Sequence, residues 1–413
     1  MRHFTSQVRR QINLSLPAER ANVMLTEVMY FLCLLALATN VASAAYVLIA
    51  IRRVEGFRVE NKPEGDFRPP VTVLKPVCGL EANLYENLSS FCQQEYPEYQ
   101  VIFGVRDATD PAIPVIQRIL DENPERDMTL IIDDTVIGPN FKVSNLDNMD
   151  RTVKHPYLAI ADSDMRVDDQ YIASVIAPFA DPKVGVVTCL YKASAAEGLV
   201  SILGSMFING WFLPSVLVSA GMREVRFGLG ATIMVRRDVL EQTGGFRKLA
   251  QFLADDHMLG KLASAHGFKV VLSSYVVENV VFEKSLNALL RHELRWARTV
   301  RTVEPLGHAF SFIMYGVPLA FLGALLIDLT FDWDWVAAAM VVLAIGLRIG
   351  LQATVSKKFK LMPRDRSFWL VPLRDILSFL IWGASFLGRG IHWKDSIFTV
   401  NSKGLMTLAK KEA

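Results

Sequence analysis

The chain is poor in the features that mark several common function classes. Four cysteines among 413 residues, Cys33, Cys78, Cys92 and Cys189, are scattered without CxxC or His-paired spacing. That excludes a zinc site or disulfide framework built on such spacing and suits a reducing compartment. The formal net charge is only +2, and no basic stretch is interleaved with stacking aromatics. A nucleic-acid partner therefore has no electrostatic footprint. Neither GxGxxG nor GxxxxGK[ST] occurs, which removes the dinucleotide fingerprint and the P-loop. What the chain has in plenty is apolar character: 51% of residues are hydrophobic and mean hydropathy is +0.27, beside 21% charged residues. Membrane segments joined to a soluble domain account for both figures.

Four apolar runs mark the membrane part. Residues 28–51 form the first, closed by Arg52 and Arg53. At about 1.5 Å per residue this run exceeds the ~30 Å hydrocarbon core, and it outlasts the roughly 7–15-residue apolar core of a cleaved signal. It reads as a retained transmembrane helix behind a polar 1–27 tail, in which Met24 is an alternative start. The other runs are 310–327, 335–355 with Arg348 inside it, and 368–388 with Arg374 and Asp375. Charges in lipid are costly unless paired or turned inward, so the last run is a span, a re-entrant segment or an interfacial helix. The 328–334 loop has no basic residue, whereas Lys357, Lys358, Lys360, Arg364 and Arg366 crowd the next one. The positive-inside rule puts that basic loop, and with it the soluble domain, in the cytoplasm. Arg52, Arg53 and Arg58 agree, while Arg9, Arg10 and Arg20 pull the other way.

Residues 52–70, with Pro63, Gly65, Pro69 and Pro70, have linker composition. From there β-rich runs at 71–74, 99–105, 128–132, 157–161 and 184–189 alternate with helical spacing at 83–94, 111–120, 145–153 and 168–179. The pattern predicts an α/β domain over 71–307 with a mostly parallel sheet covered on both faces. Within it, Phe207, Trp211, Phe212, Leu213 and Val216 recur at helical spacing in the apolar stretch 203–220. That suits an amphipathic interfacial helix or a core helix. A C-terminal membrane region of two or three helices, 308–388, and a 389–413 tail complete the chain.

The chemistry centres on 157–164, where a run of strand character ends in Asp162 and Asp164. Carboxyl ends of strands are where open α/β sheets bind ligands, and an Asp-x-Asp there can hold Mg²⁺ or Mn²⁺ whose remaining positions go to substrate phosphates. A solvated surface turn is the plain alternative. Asp107 stands just past another predicted strand, as a base or ribose acceptor or as a turn cap before Pro111. Asp255 and Asp256 open a helix. Dipole complementarity explains one carboxylate well and both less well. Arg295 and Trp296 lie on a basic helix leading toward the second apolar run, suited to a membrane surface or to closing over a diphosphate.

Taken together, Asp107, Asp162 with Asp164, Asp256 and His292-x-x-Arg295-Trp296 resemble the D, D, D, (Q/R)xxRW signature of membrane-bound inverting family-2-type glycosyltransferases. More narrowly, Leu74-Lys75-Pro76-x-x-Gly79, Asp107-x-x-Asp110-Pro111-Ala112, Lys142-x-x-Asn145-Leu146, Gly244-Gly245-Phe246 and Pro372-Leu373-Arg374-Asp375 resemble the ceramide glucosyltransferase family. The string 164–168 and residues 291–299 are most similar to its bacterial hopanoid-biosynthesis subgroup. Position 292 is His where the broad signature has Gln or Arg, and His is only partly charged at neutral pH. The resemblance implies a GT-A-like domain in a bacterial inner (cell) membrane, a UDP-sugar donor, a divalent metal and a lipid acceptor. It further implies Asp107 at the uridine, Asp162 and Asp164 on the metal, and Asp256 rather than Asp255 as base. Lys142, His292, Arg295 and Trp296 would lie around the donor, with Trp296 shaping the acceptor side. The hopanoid-like subgroup implies UDP-N-acetylglucosamine and bacteriohopanetetrol; UDP-glucose and ceramide are the alternative. A processive polysaccharide synthase, which needs more paired spans, and a non-catalytic nucleotide-sugar-binding membrane protein are rivals from other classes.

Overall fold

The computed structural model describes the backbone of residues 2–60, 65–388, 390–393, 396–401 and 403–411. Pro63 of the linker and the side chains of Arg9, Arg10 and Arg20 lie outside the described residues. Eight strands form one sheet: β1 Val71–Pro76, β2 Tyr99–Val105, β3 Met128–Ile132, β4 Tyr157–Ala161, β5 Met165–Arg166, β6 Val184–Ala195, β7 Thr232–Arg236 and β8 Lys269–Val281. Their order is β3-β2-β1-β4-β7-β6-β8-β5. The pairs β1–β2, β1–β4, β2–β3 and β6–β8 are parallel, while β7 runs antiparallel to both β4 and β6.

Every residue of β1 is buried, as expected for a strand covered on both faces. Val71 and Val73 join one core with Phe91, Phe103 and Tyr171, and Leu74 joins the opposite core with Ile102, Leu146 and Leu158. The five strands read from sequence are present, with β6 running on to Ala195. The helix expected at 145–153 begins earlier, at Phe141, because Asn140 caps it by accepting from the Val143 N–H at 3.2 Å.

The membrane-facing part departs further from expectation. One helix, Arg2–Gly56, replaces the separate 1–27 tail and 28–51 span, and its Val23–Gly56 portion is long and apolar enough to cross. Asp334–Lys358 and Pro363–Ser385 also pass that test, as does Gly198–Met222; Pro305–Met314 and Gly316–Phe331 form a pair bent by 65°. Gly198–Met222, however, leaves β6 and returns to β7, so both its ends belong to one sheet and it makes no single crossing. Two-thirds of its apolar window is buried. A π turn at Ile208–Phe212 aims Asn209 at Ala193, with which it exchanges two 2.9 Å hydrogen bonds along the β6 edge. Of the two readings of this stretch, the core helix is the one the structure supports.

The charged residues of the fourth apolar run are paired. Asp375 bonds Arg348 of the Asp334–Lys358 helix at 3.0 Å, and Arg374 bonds Glu293 of the Leu286–Val303 helix at 2.5 Å. The helix Val371–Ser385 is about 22 Å long at 1.5 Å per residue, and only with the 3₁₀ turns from Pro363 before it does it approach the ~30 Å of a hydrocarbon core. After it, β9 Gly390–Trp393, β10 Ser396–Val400 and β11 Met406–Lys411 form a small antiparallel sheet against the soluble domain, where Leu405 bridges Phe252. This tail sheet was not legible in the sequence. Chain on both sides of residues 304–389 thus rests on one domain, so any crossings between must be even in number. We propose Gly316–Phe331 and Asp334–Lys358 as a hairpin of two crossings, with Val371–Ser385 turning back. In sealed vesicles, an impermeant maleimide should label native Cys78 and, in a Cys78→Ser background, Lys403→Cys from one face, and Asp332→Cys from the other. Labelling of Lys403→Cys from the Asp332 face would contradict this path.

Candidate active site

The sheet's parallel half brings three strand ends side by side. Leu74 of β1 pairs with Ile160 of β4, and Pro76 with Gly104 of β2, so Asp162 and Asp107 emerge on either side of β1, roughly 10 Å apart at two strand spacings. Lys75 is wholly buried, packs over the Phe91 ring at 3.8 Å and donates to the Asp162 carbonyl. Burial lowers its pKa to about 7 against the pull of Asp162, Asp164 and Glu81. The Asp162 carboxylate receives Lys142 Nζ at 2.5 Å, brought there by the first turn of the Asn140-capped helix. Burial opposes the Lys142 charge, but Asp162, Asp255 and Asp256 hold its pKa above the usual value.

Asp255 and Asp256 open the helix Asp255–Ala265, where the helix dipole favours negative charge. Asn140 Nδ2 donates to Asp255 Oδ1 at 3.0 Å and to the Phe252 carbonyl at 2.9 Å, tying this loop to the Lys142 helix. The Asp256 pKa is pushed up to about 7, by burial first and then by the charge of Asp255. Gly230 lies between the two acid groups: a Cβ there would sit 3.0 Å from Asp256 Oδ2 and 3.8 Å from Asp162 Oδ2. Asp164 accepts from Asn279 Nδ2 at 2.8 Å, and burial, followed by Glu81 and Asp162, raises its pKa to about 7.

The Leu286–Val303 helix closes the other side. Arg295 feels Asp162, Glu283 and Asp164, with burial as the larger influence lowering its pKa. His292 Nδ1 sits 2.7 Å from Glu283 Oε1 and its ring meets Trp296 edge-on at 4.3 Å. Trp296 in turn stacks on Phe207 at 5.8 Å. The structure therefore gathers Lys142, Asp162, Asp164, Asp256 and Arg295 into one electrostatic cluster, with His292 and Trp296 at its edge. Asp107 stands apart on its strand end: exposed, it accepts from the Thr109 N–H at 2.8 Å and hydroxyl at 2.7 Å, which keep its pKa low.

The profile of glycosyl transferase family 21 matches residues 34–406, most of the chain. The chain belongs to that family and is a glycosyltransferase. Ceramide glucosyltransferase 1 of Caenorhabditis elegans is 24% identical over 368 residues, 86% of this family-21 chain and 77% of the relative. Ceramide glucosyltransferase 3 of the same organism is 24% identical over 62% of this chain and 57% of its own length. A mannosyltransferase from Pyrobaculum calidifontis, solved with GDP-Man and Mn²⁺, superposes with a TM-score of 0.51 at 18% identity, covering 86% of this chain and 99% of that one. The likeness extends to the fold.

Among the described residues no three His, Cys, Asp or Glu side chains converge on a metal position. Asp162 and Asp164 nevertheless suit a hard cation that takes its other ligands from phosphates. At Asp164 burial and the charges of Glu81 and Asp162 outweigh Asn279 and Lys75, so added positive charge would be favourable there.

Several site residues escaped the sequence reading. Asp110, quoted there only within a motif, grips the Gly79 N–H with both carboxylate oxygens at 2.9 and 3.0 Å, joining the loops after β1 and β2. Glu81 accepts from Ser163 Oγ at 2.6 Å. The one signal available was a charged or amide residue inside an apolar run: Lys75 in VTVLKP and Asn279 in VVENVV. Gly230→Ala should crowd Asp256 and cut kcat about 10–100-fold while leaving the unfolding temperature nearly unchanged, since a small misplacement at the reacting centre suffices for that loss. Steady-state transfer kinetics beside a thermal melt check this, and wild-type kcat would rule it out.

Proposed function

We propose that this family-21 enzyme transfers a sugar from a UDP-sugar to a membrane-lipid hydroxyl with inversion at the anomeric carbon. The observation that carries the reading is the convergence of Asp162, Asp164, Asp256, Lys142 and Arg295 at the carboxyl end of β4. Lys142 and Arg295 face the charge of a diphosphate, and Asp107 is offered to the uridine. Asp162 and Asp164 would hold Mg²⁺ or Mn²⁺; when bound, such a cation neutralises charge growing on the departing UDP, an effect that can reach several kcal/mol. Asp256 takes the acceptor proton as the oxygen bonds the anomeric carbon and the bond to the diphosphate oxygen breaks.

The acceptor side is the aromatic wall of Trp296 and Phe207. Phe207 belongs to the Gly198–Met222 stretch packed beside the membrane helices, which suits an acceptor whose hydroxyl is delivered from a bilayer. The catalytic domain then faces the cytoplasm from a bacterial cell membrane, as the basic 357–366 loop favours. The relatives' names support glucose and ceramide as the pair. The 164–168 and 291–299 strings, including His292, favour N-acetylglucosamine and bacteriohopanetetrol within the same mechanism.

Purified protein in lipid nanodiscs, offered each UDP-sugar with each acceptor, should yield a glycolipid detectable by mass spectrometry, and Asp256→Asn should lower kcat about 10²–10⁴-fold while still binding UDP. Undiminished transfer by Asp256→Asn would remove that residue from the chemistry. A base works deprotonated, so a carboxyl with its pKa near 7 predicts kcat/KM rising as pH increases through about 7 and levelling above it. A flat profile from pH 5.5 to 8.5 would contradict the assignment of the base.

A further inference from the structure

We propose that the C-terminal sheet β9–β11 is a positioning element for the reaction, a clamp that fixes the Asp255–Asp256 loop and the Lys142 helix relative to the Arg295 helix. The inference rests on the site reading above. Three sets of contacts carry it. First, the Met406 N–H donates to the Gln251 carbonyl at 2.9 Å, and the Leu253 N–H donates to the Gly404 carbonyl at 3.1 Å. The segment just ahead of the two acids is thus hydrogen-bonded to the tail sheet as an extra edge. Leu253 is buried with Ile391, Phe398, Val400 and Met406.

Second, Phe398 meets Phe141 edge-on at 6.0 Å, and Arg106, beside Asp107, lies over that ring at 4.3 Å. Phe141 immediately precedes Lys142, whose ammonium bonds Asp162. Third, Arg298 donates to the carbonyls of Gly390 and, at 2.7 Å, Leu387, and Arg301 to those of Ser385 and, at 3.0 Å, Gly388. These arginines lie one and two turns beyond Arg295 on its helix. The chain entering β9 is therefore pinned to the diphosphate-facing helix, while β10 and β11 hold the base-bearing loop. Asn140 links the two clamped segments internally through Phe252 and Asp255. An anchoring sheet that arrives from beyond the membrane helices gives the loop a reference point outside its own domain core.

The test uses the full chain in nanodiscs, with Phe398→Ala to loosen the clamp and Phe398→Leu to refill most of its volume. UDP affinity in the presence of Mn²⁺, kcat, and the unfolding temperature are measured for each, with Asp256→Asn alongside. Phe398→Ala should lose about 10–100-fold in kcat with a smaller loss of UDP affinity, about threefold, because the acid is displaced while Lys142, next to Phe141, shifts less than its flexible side chain can recover. Phe398→Leu should restore most of kcat. Arg298→Met, which releases the other end of the sheet, should show the same split between kcat and UDP affinity. Wild-type kcat in Phe398→Ala, or parallel loss of kcat and UDP affinity in both loosened variants, would overturn the proposal. Full transfer by Asp256→Asn would overturn the underlying base assignment, a result read independently of Phe398.

Discussion

The constraint on which the rest depends is electrostatic: five carboxylates, Asp162, Asp164, Asp255, Asp256 and Glu81, stand against three cations, Lys75, Lys142 and Arg295, at the end of one central strand. Burial, reinforced by like charges at close range, raises the pKa of Asp164 and of Asp256 to about 7. In the proposed mechanism Asp164 helps to hold a cation, Asp256 takes up the acceptor proton, and Lys142 and Arg295 supply positive charge for a diphosphate.

Everything around the cluster keeps it from relaxing. Gly230 leaves space between Asp256 and Asp162 that any side chain would fill, and Asn140 ties the helix carrying Lys142 to the loop carrying Asp255. The membrane-proximal helices join the same framework. Glu293 lies two residues before Arg295 and is held by Arg374, whose neighbour Asp375 holds Arg348 of the Asp334–Lys358 helix. A chain of buried ion pairs therefore runs from that apolar helix into the helix that carries Arg295. Buried pairs of this kind add little net stability but are costly to break, which suits a device for fixing orientation.

How much of this was legible in the sequence follows from which signals are local. The parallel half of the sheet was, because uninterrupted apolar runs such as YLAIA and VTVLKP can be little else when flanked by helical spacing. Strands β7 and β8 were not: Thr232–Arg236 is short and follows a glycine-rich turn, and the 13 residues of β8 mix Lys269, Ser273 and Glu278 into the pattern. Asp162, Asp164 and Asp256 stood out by spacing and resemblance. Glu81, Asn140 and Gly230 act through partners far away in the chain, so no local pattern marks them. The tail was least readable, since β10 and β11 acquire their meaning only from Phe141 and Phe252. The apolar stretch 203–220 carried equal signs of surface and core, and the Asn209 pairing with β6 decided it.

The most direct test of an acid cluster built to share a cation with a diphosphate is calorimetric titration of UDP into the protein with Mn²⁺ and again in EDTA. A metal-bridged diphosphate predicts affinity at least about tenfold higher with Mn²⁺, and an Asp164→Asn variant in which that advantage is largely gone. Equal UDP affinity with and without the metal in the wild-type protein would contradict it.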